Sequence, residues 1–240
     1  MTQPIDGAPA NARALLASWA IPIDAAPTHE VYGTDATLAL EVHEALKRSA
    51  GQPVITFHPT RSDLAQAIGL PAGETAFDPA AEDPTRAVQL DLLCDPTLGL
   101  AVNHVVFGTA PDFLGWGSSN ASFVVEIDGK RVFSGRASTV LIANGQFVRG
   151  HDVIPKGHPA DGIAEVQIYR LRRSERRKFR ERLQLGEHLP HPRIFEGAGK
   201  NISVRVKGRA FPLEADGSSW GTGSSIELEI KPHAYCLALP

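Results

Sequence analysis

The densest set of side chains able to do chemistry in this chain of 240 residues lies between Leu141 and Gly162. An apolar run stops at Asn144-Gly145, and a loop punctuated by glycine and proline follows. Asp161-Gly162 then turns the chain into a second apolar run, Ile163 to Tyr169. A strand–loop–strand of this kind gathers polar groups at strand ends, where binding residues concentrate. Within the loop His151 and His158 flank Asp152 and Asp161, residue types that hold a divalent metal, although a polar loop accounts for them equally. Ser118-Ser119, in Gly115-Trp-Gly-Ser-Ser, lacks the G-x-S-x-G spacing of a nucleophile elbow. Cys94 and Cys236 sit in apolar segments without metal-ligand spacing and read as buried, reduced thiols.

The one concentrated charge runs from Arg170 to Arg182. Arg170, Arg172, Arg173, Arg176, Arg177, Lys178, Arg180 and Arg182 stand against Glu175 and Glu181. Near an anionic bilayer such cations contribute ~1 kcal/mol each. The alternative is a solvated helix face with local ion pairs. The net charge of −3 argues against a wholesale nucleic-acid binder, which needs a basic surface to neutralise phosphates. No run approaches the roughly 20 apolar residues of a membrane span. The first residues carry neither the basic nor the apolar region of a signal peptide, so the expected place is the cytoplasm, peripheral on the inner membrane if the arginines meet lipid.

The elements that must position these residues fall into two styles. Residues 1–30 read as a leader and a short helix, capped by Asn11 and stopped at Pro22. Residues 31–85 read as an α/β unit. An extended segment reaches Val31-Tyr32, a helix over 37–49 carries Leu38, Val42, Ala45 and Leu46 on one face, and a strand covers 53–57. A second helix over 62–68 has Asp63 in its first turn and Gly69 at its end. From 86 to 240 short strands recur with turns between them: 86–94, 99–107, 121–127, 130–134, 137–143, 163–171, 192–195, 201–207, 210–214, 224–230 and 233–239. Asp128-Gly129 is a strong hairpin signal, and a basic helix over 174–185 is the one interruption. The pattern predicts an antiparallel, sandwich-like β domain.

Several motifs recur in a fixed order along this frame. Ala143-Asn144, Gly150, Pro155 and Asp161-Gly162 fit a strand ending in "A-N", a glycine-bearing loop and "P-x-A-x-x-D-G". Gly33, Asp35, Thr37 and Leu38 fit "G-G-D-G-T-L", with Thr34 and Ala36 in place of glycines. Thr60, Asp63 and Ala65 fit "P-x-G-T-x-N-D-x-A", with Pro59 and Arg61 in place of glycines, and Gly69-Leu-Pro71 fits "L-G-I-P". Leu90-Asp91-Leu92 fits "I-D-L", Asn103 to Gly108 fits "N-x-x-x-x-G", and Asp216-Gly217-Ser218 stands where "D-G-E" is expected. In this order and spacing the chain resembles the diacylglycerol kinase and sphingosine kinase superfamily of lipid kinases, as a truncated and divergent member.

The resemblance implies an interdomain cleft, Mg and ATP as cofactors if the chain is active, and a lipid or other amphiphilic alcohol as phosphoryl acceptor. It implies that Gly33, Thr37, Thr60, Arg61 and Asp63 line the nucleotide, that Asp35 and Asp216 supply carboxylates to catalysis, and that Asp161 is a magnesium ligand beside Ala160. The departures fall on the chemistry. Glycine turns let backbone N–H groups approach phosphate oxygens without a Cβ in the way, and two of three are replaced at 34–36. Arg61 would grip a phosphate as a charged fork, whereas Pro59 removes a donor. An early "N-P-x-S-G" loop is not seen. The glutamate that activates the acceptor hydroxyl is Ser218 here, which accepts no proton usefully. Asp216 replaces it by proximity only, and an Asp-Gly turn explains that residue as well. Two readings stay open: a divergent ATP-dependent lipid kinase, weak alone, and a non-catalytic relative that binds a lipid or regulates a partner, a homo-oligomer included.

Overall fold

A computed structural model describes residues 19–22, 29–48, 51–70 and 86–238. The expected leader and first helix lie outside the described residues, apart from Trp19 and the short β1 (Ile21–Pro22). Strand β2 (His29–Thr34) runs parallel to β3 (Val54–Arg61), and helix α1 (Asp35–Arg48) joins them. Leu38, Ala39, Val42 and Ala45 recur at helical spacing and are buried, and Leu38, Ala39 and Val42 pack with Val31, Ile55 and Phe57. Helix α2 (Asp63–Ile68) starts at Ser62, whose hydroxyl accepts the Ala65 N–H at 2.8 Å. It stops at Gly69, whose φ of 72° is the left-handed conformation that glycine adopts without the cost of a Cβ.

The remainder is β: β4 (Arg86–Asp95), β5 (Gly99–Ala101), β6 (His104–Gly108), β7 (Ala121–Ile127), β8 (Lys130–Ala137), β9 (Thr139–Ala143), β10 (Phe147–Val148), β11 (His151–Asp152), β12 (Ala164–Tyr169), β13 (Ile194–Gly199), β14 (Asn201–Lys207), β15 (Phe211–Ala215), β16 (Ser218–Gly223) and β17 (Ser225–Ala238). A 3-10 turn covers Pro111–Phe113, and helix α3 (Arg176–Gln184) follows β12. One sheet runs β1-β4-β17-β14-β7-β8, with β5 on β4 and the β2–β3 pair attached through β17. A second runs β13-β12-β9-β6-β15-β16, and β10 and β11 pair as a separate two-stranded ladder. Every described pairing from β4 onward is antiparallel except β3 with β17.

The two sheets face each other across a core in which Phe107, Phe123 and Phe211 meet edge to face, with centroids 5.5 and 5.8 Å apart. The outer face of the second sheet carries a further apolar layer, where Phe179 and Leu183 of α3 cover Leu141 and Tyr169.

Several strand expectations change. The run 99–107 is broken at Val102-Asn103, because those N–H groups turn away from the ladder to a carboxylate. The runs 224–230 and 233–239 form one bent strand, β17, with a register shift between Lys231 and Tyr235. Pro232 there has no N–H to offer and His233 has φ of 50°. Strand β16 was not expected, because Ser218-Ser-Trp-Gly-Thr-Gly223 is exposed along most of its length and shows no apolar alternation. The seam drawn at residue 86 is not a break in the sheet. Cys236–Ala238 of β17 pair in parallel with Val54–Thr56 of β3, so the α/β part and the β part share one sheet and one core around Leu90, Tyr235 and Leu237.

Candidate functional site

The first motif sits where β2 turns into α1. Gly33 has φ of 142°, and a Cβ there would meet Thr37 Oγ1 at 2.8 Å, so the inner side of this turn is already filled by Thr37. Thr34, in place of a glycine, accepts the Thr37 N–H on its hydroxyl at 3.4 Å and lies 3.3 Å from the Thr37 hydroxyl. The loop has become a helix cap.

Asp35 follows immediately and is buried. It does not point toward open space. Its Oδ2 accepts the N–H groups of Asp63 and Leu64 at 3.0 and 3.1 Å, and Ser62 donates its hydroxyl to Oδ1. The Ala65 and Gln66 N–H groups bond to the Ser62 hydroxyl and carbonyl. Every N–H in the first turn of α2 therefore has a partner, and a carboxylate occupies the end of the helix where a phosphate would be attracted. Thr60 and Arg61 lie beside it at the exposed end of β3.

Asp63 faces the other way, across to the β domain. Its two oxygens accept the N–H groups of Arg149 and Gly150, each at 2.6 Å. Both donors have left-handed backbone, φ of 53° and 77°. This explains Gly150 without a ligand: the left-handed turn aims two successive N–H groups at one carboxylate.

Asp216 is the second expected catalytic carboxylate, and the structure does bring it near Asp35. It forms the Asp-Gly turn of the β15–β16 hairpin, and its side chain folds inward to accept the N–H groups of Val102, Asn103 and His104 at 2.7, 3.0 and 2.9 Å. Burial pushes the Asp216 carboxyl up to about 7, with the charge of Asp35 as the next cause. Burial likewise pushes Asp35 up to about 6, against the hydrogen bonds it accepts. Ser218 is exposed at the hairpin's return.

Asp91 is a hub that the sequence placed only as a motif position. Its carboxylate accepts Gly162 N–H at 2.6 Å and His233 N–H at 2.7 Å. Its carbonyl accepts the Asn144 side-chain amide at 3.1 Å. Asn144 and the Asp161-Gly162 turn thus converge on one residue, as the strand–loop–strand reading requires. Gly162 has φ of 71°. Asp161 is exposed and accepts the Ile163 N–H at 3.0 Å, an ordinary Asx turn. His158 packs against Trp19 with centroids 4.2 Å apart. Among the described residues no three His, Cys, Asp or Glu side chains cluster as metal ligands.

A second polar group was missed entirely. Arg149 donates to Glu214 at 2.6 Å, lies 3.8 Å from Asp112 and stacks 4.7 Å above the Phe113 ring. Glu214 approaches buried His104 at 4.0 Å. The Asn103 amide bonds to both His104 Nδ1 and the Phe147 carbonyl, so Nδ1 accepts and the proton sits on Nε2, facing Glu214. Burial holds His104 below its ordinary pKa, against the charges of Asp63 and Glu214. His104 and Glu214 read as strand residues in an apolar run, and nothing in their spacing marks them.

The basic segment divides in two. Arg176 is 1% exposed, so it is no surface cation. Its guanidinium donates to the carbonyls of Gly115 and Ser118 and to the Asn120 side chain, each at 2.7 Å. Arg172, Arg173, Arg177 and Lys178 are exposed.

Residues 109–239 match the family model described as the YegS C-terminal NAD kinase beta sandwich-like domain. A diacylglycerol kinase from Bacillus anthracis str. Sterne superposes with a TM-score of 0.66 at 18% identity, covering 88% of this chain and 75% of that one. Another structure from the same organism superposes with a TM-score of 0.70 at 16% identity, covering 88% and 77%. At such identities the likeness is one of fold. No curated protein sequence matches the chain.

Proposed function

The chain belongs to the family of the YegS C-terminal NAD kinase beta sandwich-like domain, within the lipid kinase superfamily, and from that premise we propose that it is a non-catalytic, lipid-engaging member. The observation that carries this reading is the use made of its carboxylates. Asp35, Asp63, Asp91 and Asp216 each accept two or three backbone N–H groups, and Asp63 thereby ties the α/β part to the sandwich. A general base must keep a lone pair directed at the hydroxyl it deprotonates. Asp216 has both oxygens committed to backbone donors inside the protein.

The residues present do not fit a triphosphate at the second loop, since every first-turn N–H of α2 is bonded within the protein and Asp35 places negative charge among them. Arg61 is an exposed cation beside these loops. Phosphoryl transfer depends on positioning and charge neutralisation, and at the second loop the first-turn donors are already taken within the protein. What is retained is the sandwich, for a lipid-like ligand, and the exposed arginines of 170–182, for an anionic membrane surface.

Incubation of the chain with radiolabelled ATP, magnesium and diacylglycerol in mixed micelles tests this. The expected result is no labelled lipid above background. Turnover on the order of 1 s⁻¹, the lower range of ordinary kinases, that disappears in Asp35→Ala would restore the kinase reading, with Asp35 as its carboxylate and magnesium at Asp161.

A further inference from the structure

Phe113 and Trp116 are 60% and 71% exposed, large aromatic side chains three residues apart on one loop. Their exposure is not the result of a loose loop. The buried Arg176 guanidinium grips the carbonyls of Gly115 and Ser118 on either side of Trp116, and the Ser118 hydroxyl accepts the Gly115 N–H at 2.9 Å. Pro111 and Leu114 are buried and anchor the first half of the loop. Two large aromatic side chains held outward on an ordered loop make an exposed apolar feature of the kind that meets a partner or a membrane.

The surroundings say what the contact is. Arg149 stacks on Phe113, and Arg209 reaches Ser119 at 3.5 Å. Arg173 is close enough to Arg176 to depress its pKa, after burial. The acids nearby have partners: Asp112 and Glu214 with Arg149, Glu175 with Arg193, and Glu181 with Arg177. An exposed aromatic pair with Arg173 and Arg209 beside its loop matches the interfacial zone of an anionic bilayer, where tryptophan sits at headgroup level and arginines meet lipid phosphates. We propose that the loop from Pro111 to Ser119 is an interfacial anchor that seats Phe113 and Trp116 among the headgroups of an anionic membrane. Arg176 acts as the pin that presents the loop. This rests on the membrane contact proposed above and adds the residues that make it.

The test is sedimentation with vesicles of phosphatidylglycerol and phosphatidylcholine, and with phosphatidylcholine alone, read beside tryptophan quenching by lipids with brominated chains. The chain is expected to bind the anionic vesicles and to lose about 10-fold or more in affinity in Trp116→Ala, as the burial of one large apolar side chain implies. A similar loss is expected in Phe113→Ala, with quenching confined to Trp116. Both side chains are exposed, so these variants fold; unchanged circular dichroism and melting temperature check it. Binding that falls with salt and in Arg173→Gln with Arg177→Gln, but is untouched in Trp116→Ala, would overturn the anchor and leave the membrane reading standing. No binding to anionic vesicles would overturn both. Self-association abolished by Trp116→Ala, without vesicle binding, would overturn the anchor in favour of a second copy of the chain.

Discussion

Asp128-Gly129 and Asp216-Gly217 turn the β7–β8 and β15–β16 hairpins with nearly the same backbone, φ of 48° and 75° in the first and 50° and 79° in the second. Their carboxylates live in opposite surroundings. Asp128 is exposed, accepts the Lys200 and Asn201 N–H groups at 3.0 and 2.9 Å, and is held below the ordinary carboxylate range chiefly by the Asn201 bond. Asp216 also caps backbone donors, three of them, but inside the protein beside Asp35, and burial drives it upward. The dipeptide dictates the turn, while the depth at which the turn docks dictates the chemistry of its acid.

The largest difference should appear on removing the carboxylates. Asp216→Ala leaves three buried N–H groups without acceptors and should lower unfolding free energy by more than about 3 kcal/mol. Asp128→Ala exposes its donors to water and should stay within about 1 kcal/mol. Urea denaturation of both variants checks this, and equal losses would break the comparison.

The pH dependence should differ in sign. The raised Asp216 keeps a proton in the folded state that the unfolded chain has released, so its contribution is largest at acid pH and is lost as pH rises from about 4 through about 7. The stability gap between wild type and Asp216→Asn should therefore shrink across that window. Asp128 is lowered, so its contribution is present above the ordinary carboxylate range and is lost as pH falls below it. The gap to Asp128→Asn should grow as pH rises through the acid range. His104, lowered by burial, adds a slope of its own to the whole protein but cancels in both gaps. Two slopes of the same sign would show that depth does not separate the two turns.

A smaller effect extends the comparison to a third cap. Thr34→Ala removes the hydroxyl that accepts the Thr37 N–H at the start of α1 and should cost about 1 kcal/mol, the usual value for an N-cap. Thermal melts resolve it, and a loss as large as that of Asp216→Ala would mean that the β2–α1 turn carries more of the structure than its hydrogen bonds indicate.

Local signals were legible in the sequence. Ser62, Asp63 and Gly69 marked α2 to within one residue, and Asp128-Gly129 marked its hairpin, because caps and two-residue turns are decided within a few residues. Asn144 and Asp161-Gly162 pointed to a shared strand end, and they meet at Asp91. The break at Val102-Asn103 was not legible, since its cause, Asp216, lies more than a hundred residues away. His104 and Glu214 were hidden by the apolar strands that carry them, and Arg176 looked like the other seven cations until its partners were known. Motif order located the acids, but only their hydrogen bonds tell whether they face a ligand or the protein's own backbone.

We propose that the β2–α1 turn and the turn into α2, which the sequence resemblance aligns with a phosphate cradle, hold no nucleotide because they spend donors within the protein. Calorimetric titration of the purified chain with Mg·ATP tests it most directly. No saturable heat is expected up to millimolar nucleotide; stoichiometric binding in the micromolar range that is lost in both Asp35→Ala and Arg61→Gln would contradict it.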